Sequence, residues 1–255
     1  MNDLTYLTPT ICSLFGIKPP ILATQNPLTI FDDYVGRVQR ALLYCPDAFG
    51  VHAIKEYPDL ANRINRVSTH NLENSAVFPP VTPVCYASIF TGALPARHGI
   101  TKYERPVLKC DTLFDAFLRA GKKVAIIAVK DCSVDLIFRE REIDYFSEIH
   151  DMMVMARALK LLEDDQHDLI VVYNQEYDDL LHETQPFSDL AKSALYRHVE
   201  QWELLVKSIQ KKWDRNYIAA FLPDHGAHID PANGFGTHGD DIAEDMLVKH
   251  YFVVR

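Results

Sequence analysis

Short apolar runs alternate with longer amphipathic stretches along this chain. Residues 40–45, 123–129, 169–173, 217–222 and 250–254 are rich in Val, Ile, Leu, Ala or Tyr and apolar almost throughout. Each predicts a strand covered on both faces, as in a parallel sheet. Between them, residues 112–120 predict a helix that stops at Gly121, and residues 152–163 have a helix-forming composition. Residues 187–213 form the longest such stretch. There Phe187, Leu190, Ala191, Ala194, Leu195, Val199, Leu205 and Ile209 recur mostly at steps of three and four, which predicts one buried stripe. Strand–helix alternation of this kind implies an α/β protein, a three-layer α/β/α sandwich around a mostly parallel, doubly wound sheet. The expectation is one domain over residues 1–255, with ligands bound at the carboxyl ends of the strands. Residues 62–83 lack periodicity and are expected to be a long loop.

Composition narrows the function classes. The apolar fraction of 48% allows a sizeable core. No run of 18 apolar residues occurs, so no membrane-spanning helix is expected. The start, Met1-Asn2-Asp3-Leu4, lacks the basic and apolar regions of a secretory signal, which points to the cytoplasm. Cys12, Cys45, Cys85, Cys110 and Cys132 have no CxxC spacing and predict free thiols. A net charge of -9 argues against a nucleic-acid scaffold role. It leaves room for a small anionic substrate, because bound cations reverse the local field.

Five segments carry candidate chemistry. Asp47 follows the first apolar strand. Thr82 precedes Pro83, a residue suited to the first helical position, so Thr82 is expected to cap a helix whose positive end favours an anion. Asp178 and His182 are four apart and share one helical face. Asp224-His225-Gly226 follows another strand, with Gly226 permitting a sharp turn. His238 lies between Gly236 and Gly239. Taken singly, each could be an ordinary turn or cap. Three carboxylates and three imidazoles placed after strand ends form an oxygen/nitrogen donor set suited to zinc, with manganese as the alternative.

The order of these segments resembles the alkaline phosphatase superfamily, and within it the nucleotide pyrophosphatase/phosphodiesterase branch. Asp47, Thr82 with Ser88-Ile89-Phe90-Thr91-Gly92-Ala93-Leu94-Pro95, His98-Gly99-Ile100, Asp178 with His182, Asp224-His225-Gly226 and His238-Gly239 carry the resemblance. It implies two divalent metal ions. Asp178, His182 and His238 would hold one; Asp47, Asp224 and His225 would hold the other, with Thr82 on it as nucleophile. It further implies hydrolysis of a small phosphoester or nucleotide through a phospho-threonine intermediate. A phosphomonoesterase, and a catalytically silent relative that binds nucleotides or a partner, are the alternatives. Two dications outweigh three carboxylates, so such a site accepts a phosphoester anion.

Some positions depart from that pattern. Cys85 and Tyr103 stand where these phosphodiesterases often carry Asn residues that hold the phosphoryl group, and are the candidate substrate contacts. Thr82 and Tyr86 occupy the positions of a sulfatase's Cys or Ser and its Arg, which argues against a sulfatase. The stretch between Gly92 and Asp168 leaves no room for the inserted domain of related mutases. The segment from Leu7 to Pro20 resembles a helix that relatives carry after the last metal histidine, which suggests a circular permutation. His228 and His98 are expected to be structural, Asp179 solvent-facing, and Trp202 and Trp213 packing residues of the long helix. The oligomeric state is open.

Overall fold

The computed structural model describes residues 2–255. In chain order the strands are β1 (Asn2–Asp3), β2 (Arg40–Pro46), β3 (His70–Ser75), β4 (Val124–Val129), β5 (Asp144–Glu148), β6 (Leu169–Asn174), β7 (Tyr217–Phe221), β8 (His228–Ile229), β9 (Gly236–Thr237) and β10 (Leu247–Val254). The helices are α1 (Leu7–Phe15), α2 (Val51–Glu56), α3 (Pro58–Val67), α4 (Thr82–Thr91), α5 (Pro95–His98), α6 (Leu113–Arg119), α7 (Ser133–Ile137), α8 (Asp151–Asp164), α9 (Glu176–Glu183), α10 (Asp189–Lys212) and α11 (Ala243–Met246).

Eight strands form one sheet in the order β1-β3-β10-β7-β2-β6-β4-β5. Neighbours pair in parallel except β10, which runs against both β3 and β7. The fully apolar runs are central because both faces are covered. Along β2, Ala41, Leu43 and Cys45 enter one core, while Leu42 and Tyr44 enter the other. Helices α1, α4, α6 and α7 supply the first core, and α3, α8, α9 and α10 the second. This is the mostly parallel α/β/α arrangement the periodicity predicts.

Local chemistry fixes the helix ends. Thr112 and Asp115 form a reciprocal capping box at the start of α6. The Ser188 hydroxyl accepts from Ala191 N at the start of α10. The buried stripe of α10 includes Ala191, Ala194, Leu195, Val199, Trp202, Leu205 and Ile209. Trp202 and Trp213 both pack in the second core.

Residues 62–83 are not a loop. They contain the end of α3 and the strand β3, whose sequence His-Asn-Leu-Glu-Asn-Ser is half exposed and lacks apolar alternation. β10 was legible as a strand, but its opposite direction has no counterpart in its composition. Asn2 pairs with Asn74, which lies opposite Val248 near the start of β10, whereas Arg255 follows its end, so the two described ends lie near opposite ends of that strand. The α1 helix packs against α4, where Thr8 Oγ1 donates to the Ile89 carbonyl at 2.7 Å.

Candidate metal centre and nucleophile

Three adjacent strands aim their carboxyl ends at one place. Asp47 follows β2, α9 follows β6, and Asp224 follows β7. Thr82 opens α4, and His238 follows β9. Asp47, Asp224 and His225 offer ligand atoms within 4.8 Å of one another, and so do Asp178, His182 and His238. The fold therefore brings all six together as two groups.

The first group is sealed. Asp47, Thr82, Asp224 and His225 are each at most 4% exposed. Thr82 Oγ1 lies 3.3 Å from Asp47 Oδ2 and 3.4 Å from His225 Nε2. His225 Nε2 is 3.4 Å from Asp47 Oδ1 and 3.3 Å from Asp224 Oδ2. Burial first, then the Asp224 and Asp178 charges, drive the Asp47 carboxyl well above its ordinary range. Burial likewise raises Asp224 to about 7. Such a carboxylate pair calls for a cation.

The second group is more open. Asp178 Oδ1 sits 3.4 Å from both His182 Nε2 and His238 Nε2. Burial would raise Asp178, but the adjacent His182 and His238 imidazoles outweigh it and hold the carboxyl well below the usual range. The neighbouring Asp178 carboxylate raises His182. Burial opposes charging of His238, yet the same carboxylate lifts it.

The imidazoles share one orientation. His182 Nδ1 is 3.0 Å from the Gly236 carbonyl, His225 Nδ1 is 3.0 Å from the Gly226 carbonyl, and His238 Nδ1 is 3.0 Å from the Pro80 carbonyl. A carbonyl only accepts, so each Nδ1 carries hydrogen and each Nε2 keeps a lone pair facing the carboxylates. Asp178 Oδ1 and Asp224 Oδ2 are buried without a hydrogen-bond donor. Orphaned oxygens facing basic nitrogens fit divalent cations with tetrahedral oxygen/nitrogen preference. The rings of His225 and His238 stack at 4.1 Å and join the two groups.

Several expectations need correction. Thr82 is the first helical residue; Val81 is the cap, and the Thr82 hydroxyl faces Asp47 and His225 rather than the helix amides. Gly226 is needed for close approach rather than a turn. A Cβ there would fall 2.0 Å from the Glu244 carbonyl oxygen, and one at Gly50 would fall 2.5 Å from Gly226 Cα. Cys85 is fully buried with its thiol toward the Val77 carbonyl, and burial pushes its pKa up, so it offers no surface to a substrate. Tyr103 is 61% exposed on the loop after α5. His98, expected to be structural, ends the short helix α5, with Nε2 2.9 Å from Ser88 Oγ.

Two supporting residues carry no sequence signal. Tyr173 donates a short hydrogen bond to Asp47 Oδ2. Asp151 accepts from the amides of Gln175 and Glu176 at 3.1 and 2.9 Å and anchors the start of α9. A lone Tyr at a strand end and a lone Asp at a helix start belong to no recognisable pattern.

No protein-family model matches the sequence, and no curated protein matches it. Solved structures do. Murine ectonucleotide pyrophosphatase/phosphodiesterase 5 aligns over 74% of this chain and 58% of its own, with TM-score 0.61 and 19% identity. Phosphonoacetate hydrolase from Sinorhizobium meliloti 1021, in complex with phosphonoformate, aligns over 75% of this chain and 57% of its own, with TM-score 0.55 and 21% identity. A 2-O GAG sulfatase aligns over 86% and 64%, with TM-score 0.61 and 13% identity. The chain spans less than two thirds of each. All three are alkaline phosphatase superfamily proteins, and the chain shares their fold. No helix among the described residues is long and apolar enough to cross a membrane.

Proposed function

We propose that this chain, built on the alkaline phosphatase-like fold, is a two-metal phosphoester hydrolase with Thr82 as nucleophile and a phosphodiester or nucleotide pyrophosphate as substrate. One observation carries the reading: three imidazoles, each with Nδ1 tied to a carbonyl, turn their Nε2 atoms toward carboxylates in two adjoining groups, and in one of them Thr82 Oγ1 lies 3.3 Å from Asp47 and 3.4 Å from His225. Residues 1–255 read as one hydrolase domain without a cap, and the cytoplasm is the proposed compartment.

Asp178, His182 and His238 would hold one ion, and Asp47, Asp224 and His225 the other. When bound, these ions supply Lewis-acid charge that makes a neutral-pH hydroxyl nucleophilic and neutralises phosphoryl oxygens. The donor set favours zinc, with manganese as the alternative. Asp47 and His225 orient the Thr82 hydroxyl, and the positive end of α4 draws the phosphoryl oxygens. Thr82 Oγ1 attacks phosphorus as its proton passes to solvent. The new O–P bond forms while the bond to the leaving oxygen breaks, and that oxygen takes a proton from water. Water then attacks the phospho-threonine, releasing phosphate or a phosphomonoester and returning the proton to Thr82.

Turnover of an aryl phosphodiester and an aryl phosphomonoester by the zinc-loaded chain tests this reading. Diester preference lost in Thr82→Ala supports it. Monoester preference assigns a phosphatase instead. Zinc binding without turnover of either points to a silent binding relative and overturns the enzymatic reading.

A further inference from the structure

Asp245 belongs to neither ligand group, yet it is fully buried among their loops. Its Oδ2 accepts from Gly239 N at 2.9 Å and Asp240 N at 3.0 Å. Its Oδ1 accepts from His228 Nδ1 at 2.8 Å. Its backbone carbonyl accepts from Gly226 N at 2.8 Å. Gly239 follows His238 and Gly226 follows His225, so one residue holds the segments behind two of the three imidazoles. The two ties differ in kind. The Gly226 tie is backbone and survives any side-chain change; the Gly239 tie depends on the carboxylate. Gly239 itself has φ +121°, a conformation that the two accepted amides help to hold. His228 Nε2 is also 3.5 Å from Asp240 Oδ2, which closes a small ring of contacts around the loop.

We propose that Asp245, braced by His228, is a positioning residue for the His238 arm of the metal centre. It keeps the loop after β9 in the shape that brings His238 Nε2 to Asp178 and His182. The inference rests on the two-metal reading above. Alanine at 245 would leave two loop amides without their acceptor and free His238 to drift. Outer hydrogen-bond partners of this kind typically change metal affinity about 10–100-fold.

Zinc titration of the metal-free full chain by calorimetry tests it, with His182→Ala identifying which binding event belongs to Asp178, His182 and His238. The expected result is a loss of about 10–100-fold at that event in Asp245→Ala, with the other event unchanged. Asp245→Asn restores it, since its oxygen can serve the two amides and its NH2 can donate to Nδ1 of the other His228 tautomer. Unchanged affinity in Asp245→Ala, equal weakening of both events, or failure of Asp245→Asn to rescue overturns the proposal. Should Asp245→Ala not fold, His228→Ala carries the test: selective weakening of the same event supports the proposal and unchanged affinity overturns it. A wild-type chain that binds no zinc overturns the two-metal reading itself and this inference with it.

Discussion

His182 Nε2 and His238 Nε2 face each other at 3.1 Å, and both lie 3.4 Å from the same oxygen of Asp178. With both Nδ1 atoms committed to carbonyls, two lone pairs point into one space. Only a positive centre, a proton or a cation, makes that arrangement favourable. His182→Ala removes one of the converging nitrogens without touching the sealed group. Zinc content after gel filtration, measured by mass spectrometry, is expected to fall from two ions per chain to one.

Thr82→Ala deletes the hydroxyl while leaving all six carboxylate and imidazole ligands. Turnover is expected to drop by at least about 10³-fold, with at least one zinc retained. Mass spectrometry of the quenched wild-type reaction should also find a phosphoryl group on the peptide containing Thr82. That adduct should be missing from the variant.

Tyr173 donates to Asp47, and its ring meets that of Tyr86 edge to face at 5.5 Å. Tyr173→Phe keeps this packing and removes only the hydrogen bond. Metal affinity or kcat is expected to fall about 10–100-fold. The thermal midpoint of the metal-free chain should change little, because Asp47 without a cation gains from a proton as readily as from the phenol.

Three buried histidines outside the ligand set contribute to the acid response. Burial pushes His98 and His250 down to about 4 and His198 down to about 3. In the unfolded chain an imidazole titrates near 6.5. Between about 6.5 and 4 the unfolded chain therefore binds protons at these sites that the native state refuses, so their contribution to stability falls as pH falls through that window, while the raised Asp47 and Asp224 contribute in the opposite sense. Calorimetric midpoints of wild type and His198→Gln measured across it isolate the histidine contribution. Relative to wild type, the His198→Gln midpoint should decline less toward acid, because one of the three titrations is gone.

The central strands were legible because burial on both faces leaves continuous apolar runs, as in Leu169–Asn174 and Tyr217–Phe221. β3 and β5 were not. One is flanked only by the two-residue β1 on its outer side and the other is an edge, so both keep polar faces in water and look like loops. In the site, the six candidate ligands could be read because Asp47 and Asp224 follow apolar strands, Asp178 and His182 are four apart, and His225 and His238 each precede a glycine, in the order of the resemblance. Asp245 and Tyr173 act through contacts between segments distant in sequence, and nothing near them in the chain announces that. Cys85 shows the opposite failure. Its position in the pattern suggested a substrate contact, but the helix turns its thiol inward.

The abutment of Gly50 against Gly226 determines how near two loops can come, one leaving β2 and the other β7. Because backbone meets backbone there, the span between Asp47 and His225 is dictated by the scaffold before any ion arrives. A side chain on either glycine would push the two loops apart and widen that span.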